Sequence, residues 1–173
     1  MFTDSDSKQA SYELNDDELN CFKSLSESVR LAAKITDIPC MAMNTDHFLN
    51  EIKLVAKELN IEPLVIEGEE LNKQGFGGIY NVGKCALYPP KLVVLSHLPP
   101  SASRTIAWVG KGIVYDTGGL SLKSPTNMLT MKIDCGGAAG ILGAFYSAVK
   151  LVRLSKSMFF SLLISLSTWV YQI

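Results

Sequence analysis

Two stretches of the chain repeat apolar residues at helical spacing, and each is bounded by a residue type that caps or ends helices. From Asp17 to about Thr36 apolar side chains recur every three or four positions, and Pro39 ends the pattern. A second such stretch covers residues 43–60, where Asn44 or Thr45 can cap the first turn. The predicted apolar faces are Leu19, Phe22, Leu25, Val29, Leu31, Ala32 and Ile35 in the first helix, and Phe48, Ile52, Val55, Ala56 and Leu59 in the second.

Short apolar runs of the kind that form strands follow at residues 63–66, 91–96 and 104–109. Residues 136–150 then predict a helix with a face of small residues suited to close packing. Strands that alternate with helices favour an α/β architecture. The segment 158–170 is apolar or hydroxylated and uncharged, but it is shorter than the roughly 20 residues of a membrane span. It therefore predicts a buried strand or helix.

Composition and charge exclude several classes of protein. The chain of 173 residues is 47% hydrophobic and 19% charged, which suits one soluble domain, and its net charge of −1 gives no reason to expect nucleic acid or a membrane as partner. Its four cysteines are far apart, so neither a zinc ribbon nor a disulfide framework is expected. Residues 1–18 are acidic and unlike a secretory signal, which predicts a flexible lead-in and a cytoplasmic protein with reduced thiols.

Three familiar kinds of site are disfavoured. Residues 78–85 match most of the phosphate-loop pattern, but Cys85 stands where a Ser or Thr hydroxyl should bind Mg²⁺, and no buried strand leads into the loop. The two histidines, His47 and His97, do not share the short spacing of zinc ligands. The G-x-S-x-G pattern of serine hydrolases is not found in the sequence.

The stretch from residue 110 to residue 140 is different, because four charged residues stand there among glycines and apolar residues. These are Lys111, Asp116, Lys123 and Asp134. The predicted strand 104–109 runs into a glycine turn, and open α/β sheets bind ligands at the carboxyl ends of their strands. The four side chains are therefore candidates for a site.

Two uses of these charges remain open on spacing alone. Carboxylates brought together repel each other, and a divalent metal would compensate their charge. Lys111 would bind such a metal only as a neutral amine, in a buried setting, while a charged Lys123 would polarise a carbonyl or stabilise an oxyanion. Alternatively, Asp116 and Asp134 form ion pairs with Lys123 and Lys132 across a loop.

The motifs "VGKGIVYDTGGLSLK" and "NMLTMKIDCGGAAGILGA" resemble the leucyl aminopeptidase (cytosol aminopeptidase) family, in particular its probable aminopeptidase-like branch. "DIPCMAMNTDHFL" and "GFGGIYNVGKCALYPPKLVVLSH" resemble the same branch, so the resemblance covers about residues 20–150. It implies a three-layer α/β/α catalytic domain with a mixed sheet, two divalent ions (Zn²⁺ or Mn²⁺), peptide substrates with a free N-terminus, and assembly as hexamers. It also implies that Lys111, Asp116 and Asp134 are metal ligands and that Lys123 is the catalytic lysine.

The chain departs from the family in one respect that concerns catalysis. The downstream N-T-D-A-E-G-R element, whose Asp, Glu and Arg complete the site in the family, is not in the sequence. We therefore expect residues 19–150 to form the N-terminal part of a catalytic domain that is incomplete at its C-terminal side, followed by a divergent apolar tail at 151–173. The expected function is a metalloaminopeptidase, inactive as this chain alone. The alternative is a non-catalytic truncated form that binds full-length subunits.

Overall fold

The computed structural model of the chain describes residues 13–100, 103–152 and 158–169. Most of the predicted acidic lead-in lies outside these ranges, but its last three residues form the first turn of a helix, where Asn15 and Glu18 cap each other's backbone N–H groups. The elements are α1 (Asp16–Asp37), α2 (Thr45–Leu59), β1 (Leu64–Glu67), α3 (Glu69–Lys73), α4 (Gly77–Gly83), β2 (Lys91–His97), β3 (Arg104–Asp116), α5 (Pro125–Met128), a 3₁₀ helix (Met131–Cys135), α6 (Gly136–Val152) and β4 (Met158–Trp169).

The strands form one mixed sheet in the order β1–β2–β4–β3. β2 runs antiparallel to β1 and β4, whereas β4 runs parallel to β3. Parallel neighbours need a crossover connection, and α6 lies in the connection between β3 and β4. The α/β fold with a mixed sheet is therefore confirmed. The uncharged apolar segment, expected as a strand or a helix, is strand β4 between β2 and β3.

The third strand is longer than the sequence predicted. β1 and β2 lie within one residue of their predicted bounds, but β3 continues to Asp116 instead of ending in a turn after Val109. The predicted glycine turn is wrong because β4 pairs with this segment, with Gly110 opposite Ile164 and Gly112 opposite Leu166. Glycine permits a turn but does not require one.

Helices cover both faces of the sheet, as a three-layer arrangement requires. Successive residues of a strand point to opposite faces, and in β2 the side chains of Leu92 and Val93 belong to two different apolar clusters. Val93 packs in the large cluster with α1, α2 and α6, whereas Leu92 packs with Leu71 of α3. The largest buried apolar side chains of the main cluster are Ile35, Phe48, Ile52, Leu95, Leu142, Phe145 and Ile164.

The first helix buries only the C-terminal part of the face that its sequence predicted, where Ile35 is fully buried and Leu31 and Ala32 pack against the main cluster. Leu19, Phe22, Leu25 and Val29 are 44–70% exposed, whereas the buried residues of α1 are Ser24, Ser28 and Ile35. The reason lies on α6, where Ser147 hydrogen-bonds the Ser28 hydroxyl and the Ser24 carbonyl oxygen. A Cβ at Gly143 of α6 would stand only 2.7 Å from the Ser28 carbonyl oxygen. Small residues therefore let the two helices approach closely, and this contact leaves the apolar residues of the N-terminal half of α1 facing solvent.

The other helix predictions are confirmed. The five predicted apolar residues of α2 are all buried, and the side chain of Asn44 accepts hydrogen bonds from the N–H groups of Asp46 and His47. The small-residue face predicted for residues 136–150 is the face of α6 that receives α1 at Gly143. No helix in the described ranges combines the length and apolar content needed to cross a membrane.

Candidate functional site

β3 places Lys111 and Asp116 on the same face of the sheet, although they are five residues apart. In a regular strand an odd separation would put them on opposite faces. The pairing of β3 with β4 shifts between Ile113 and Tyr115, which leaves Val114 as an extra residue. One extra residue reverses the alternation beyond it, so the side chain of Asp116 returns to the face of Lys111.

Lys111 forms an ion pair with Asp134 of the 3₁₀ helix. Its Nζ donates to both carboxylate oxygens of Asp134, at 2.8 and 2.7 Å. The buried setting expected for Lys111 is wrong, since its side chain is 62% exposed. The alternative pair of Asp134 with Lys132 is also wrong, because Lys132 donates to the carbonyl oxygen of Asp37 at 2.7 Å. Residues two apart on a helix do not face each other.

Lys123 forms the second ion pair, with Asp116, and this predicted pair is confirmed. Its Nζ lies 2.7 Å from Oδ2 of Asp116, and both side chains are less than one third exposed. The other oxygen, Oδ1, accepts the backbone N–H of Gly118 at 2.8 Å. Lys123 also contacts the sulfur of Met131, at 3.7 Å. Met131 and Asp134 both belong to the 3₁₀ helix, which therefore contacts both ion pairs.

Two glycines hold the start of α6 against β3, and this contact brings the 3₁₀ helix to Lys111. A Cβ at Gly137 would stand 3.2 Å from the carbonyl oxygen of Lys111, and a Cβ at Gly110 would stand 2.7 Å from Cα of Ala138. Contacts this short leave no room for larger side chains. Asp134 precedes α6 directly, so the close packing fixes its distance from β3.

The donor set of the site is small. In the described ranges no three residues of the types His, Cys, Asp and Glu lie together so that they could hold a metal ion. The site supplies the carboxylates of Asp116 and Asp134 and the amine of Lys111. Each carboxylate binds a lysine ammonium.

The candidates disfavoured from sequence have structural roles. Residues 78–85 lie largely in helix α4 rather than in a loop that follows a strand, which rules out the phosphate-loop geometry. His47 stands in the first turn of α2 beside Asn44, whereas His97 ends β2. The structure describes all four cysteines as free, and burial raises the pKa of the Cys135 thiol.

Sequence reasoning missed the parts of the site that contribute backbone geometry or a nonpolar contact. These are the extra residue Val114, the turn at Gly118 and the sulfur of Met131. Gly118 stands in a pair of glycines, which was a usable signal for an unusual backbone conformation. Val114 and Met131 resemble ordinary apolar residues, and no local pattern distinguishes them.

Comparison with known proteins finds similar aminopeptidases. Human probable aminopeptidase NPEPL1 is 63% identical over 132 residues, which are 76% of this chain and 25% of that protein. The structure of Caenorhabditis elegans leucine aminopeptidase (LAP1) superposes with a TM-score of 0.81 at 44% identity, over 91% of this chain and 32% of that one. The bottromycin maturation enzyme BotP, determined in complex with Mn, has a TM-score of 0.79 at 27% identity, over 91% and 33% of the two chains.

The family match begins later and extends further toward the C-terminus than the motifs alone indicated. The chain spans about a quarter of the length of the curated relatives it matches. The pattern described as cytosol aminopeptidase family, catalytic domain, matches residues 30–164, most of this chain. That match ends inside β4, so the resemblance continues past residue 150, its expected end. The chain belongs to the cytosol aminopeptidase family.

Proposed function

We propose that this chain carries part of the catalytic site of a metal-dependent aminopeptidase, which removes N-terminal amino acids from peptides. The observation that supports the proposal best is the pair of carboxylates, Asp116 at the end of β3 and Asp134 in the 3₁₀ helix, each of which binds a lysine. Family membership supplies the class of reaction. We further propose a cytoplasmic location and a homo-oligomeric state, which follow from the family alone.

The residues present suit a divalent ion as part of its ligand set. Oxygens that bind an ammonium at 2.7 Å already face a cation, and carboxylate oxygens are ligands for Mn²⁺ and Zn²⁺. In this proposal Asp116 and Asp134 would hold the metal, and Lys111 would join them only after giving up its ion pair with Asp134. Two ions, Zn²⁺ or Mn²⁺, would need further ligands beyond these three. When bound, they supply a water acidic enough to act as nucleophile and a Lewis acid for the scissile carbonyl.

Two residues of the chain would act on the substrate itself. The carboxylate of Asp134 is partly exposed and would accept the free α-amino group of the peptide, which restricts the enzyme to N-terminal residues. Lys123 would donate from Nζ to the carbonyl oxygen, where negative charge develops during attack. Its ammonium now binds Asp116 and contacts Met131, and a metal on Asp116 would release it toward the substrate.

The test is hydrolysis of a leucine anilide in the presence of Mn²⁺ or Zn²⁺. We expect no turnover by the 173-residue chain and turnover by a longer form that includes the N-T-D-A-E-G-R element. In the longer form Lys123→Met should lower kcat by about a hundredfold or more, as loss of an oxyanion donor does elsewhere. Lys132→Met, which removes the same charge from a neighbouring position, should leave kcat within a few-fold of wild type. A longer form that is inert with both metals would refute the proposal.

A second candidate function has one observation in its favour. β3 pairs with β4 on one side, and among the described residues no strand pairs with its other side. An unpaired edge can recruit another chain. The chain would then be a non-catalytic product that binds longer subunits of its own family. Stable co-purification with such a subunit would support this function, and separation at micromolar concentration would count against it.

A further inference from the structure

The loop after β3 contains a backbone conformation that ordinary residues avoid. Gly118 has φ of +113°, a region that L-residues with a side chain rarely adopt. In this conformation its N–H points back to Oδ1 of Asp116, two residues earlier. The loop is then closed by a second backbone hydrogen bond, from the N–H of Lys123 to the carbonyl oxygen of Thr117 at 2.9 Å.

There is no space for a side chain at this position. A Cβ on Gly118 would stand 2.5 Å from the carbonyl oxygen of Ser121, 3.0 Å from the backbone nitrogen of Lys123 and 3.1 Å from Cγ of Lys123. Two of these three atoms belong to the backbone, so rotation of a flexible side chain does not relieve the clash. The backbone that leads to Lys123 would have to move.

We propose that Gly118 is the positioning residue that seats the ammonium of Lys123 on the carboxylate of Asp116. The inference rests on the proposed function, which makes Asp116 a metal ligand and Lys123 the catalytic lysine. Gly118 acts on both partners of the pair. Its N–H binds Oδ1 and so turns Oδ2 toward Lys123, and its lack of a Cβ lets residues 121–123 fold back over the carboxylate.

Zero-length cross-linking reads out this seating directly. A water-soluble carbodiimide joins a carboxylate to an amine only where the two groups touch, and the resulting isopeptide is found by peptide mass spectrometry as the loss of one water. Among the links of the wild-type chain, two report on the site, Asp116 to Lys123 and Lys111 to Asp134, because both pairs lie at 2.7 Å. The second link serves as an internal standard, since it reports whether β3 and the 3₁₀ helix are still in place.

In Gly118→Ala the Asp116–Lys123 link should fall about fivefold, the factor that corresponds to an ion pair of about 1 kcal/mol, while the Lys111–Asp134 link persists. Gly75→Ala is the matched control. Gly75 also has a positive φ, of +85°, but a Cβ there would meet nothing within 4 Å, so both links should stay at wild-type yield. Wild-type yield of the Asp116–Lys123 link in Gly118→Ala would overturn the inference.

A second variant decides the outcome if Gly118→Ala loses both links through misfolding. One glycine inserted between Gly119 and Leu120 relaxes the loop without adding a side chain. Selective loss of the Asp116–Lys123 link supports the inference, and its retention overturns it. Added Mn²⁺ separates the two proposals, because a metal on Asp116 should suppress the wild-type link. If Mn²⁺ has no effect while Gly118→Ala still loses the link, the metal site falls and the role of Gly118 stands.

Discussion

Removing the ammonium of Lys123 should tighten binding of a divalent ion to the chain. In the structure this ammonium occupies Oδ2 of Asp116, at 2.7 Å, and a metal at that oxygen would have to displace it. The two side chains are 29% and 24% exposed, so solvent screens the pair and its contribution is about 1 kcal/mol. Lys123→Met should therefore lower the dissociation constant for Mn²⁺ by about fivefold.

The matched control is Lys132→Met, which removes the same charge from the neighbouring 3₁₀ helix. Lys132 donates to the carbonyl oxygen of Asp37 and does not occupy either carboxylate of the site, so its removal should change Mn²⁺ affinity by less than twofold at about 0.15 M salt, where distant charges are screened. Isothermal titration of the intact chain with Mn²⁺ measures both variants. Equal gains in the two variants would show that net charge, not displacement from Asp116, controls the affinity. No gain in Lys123→Met would refute the reasoning outright.

Three further predictions concern stability. Gly140→Ala should raise the unfolding free energy by up to about 1 kcal/mol, since its Cβ would meet open space and alanine favours helix. Gly143→Ala should have an unfolding free energy about 1–3 kcal/mol lower than Gly140→Ala in urea titration, because its Cβ would stand 2.7 Å from a carbonyl oxygen of α1. Equal free energies for the two variants would contradict that contact. Hydrogen bonds from Lys150 and then Tyr146 hold the pKa of Glu58 below its usual value, so the stability they add is present above that value and lost as the pH falls. Glu58→Gln should therefore make the free energy of unfolding, measured by urea titration, decline less steeply between about pH 6 and about pH 3. The difference from wild type should be less than about 1 kcal/mol for so exposed a group, and an unchanged slope would count against the prediction.

Local pattern was sufficient where an element interacts with its neighbours through one regular face. The apolar spacing of α2 identified its buried side correctly, and the apolar runs located β1 and β2. The same spacing was right only for the C-terminal part of α1, around Ile35, because burial along the rest of the helix depends on what lies opposite. Gly143 and Ser147 of α6 pack closely against serines of α1, and the sequence of α1 alone does not contain that information.

The sequence by itself determined which residues could form the site, through four charged side chains set among glycines in a family motif, and it left two uses of those charges open. Tertiary structure decided the partners. Lys111 pairs with Asp134 because the start of α6 packs closely against β3 at Gly110 and Gly137. Lys123 reaches Asp116 because the loop at Gly118 folds back. Tertiary structure also decided that Lys111 and Asp116 lie on the same face of β3. The extra residue at Val114 exists only in the register with β4, a strand more than 40 residues further along the chain, and pairing at that distance has no local signature.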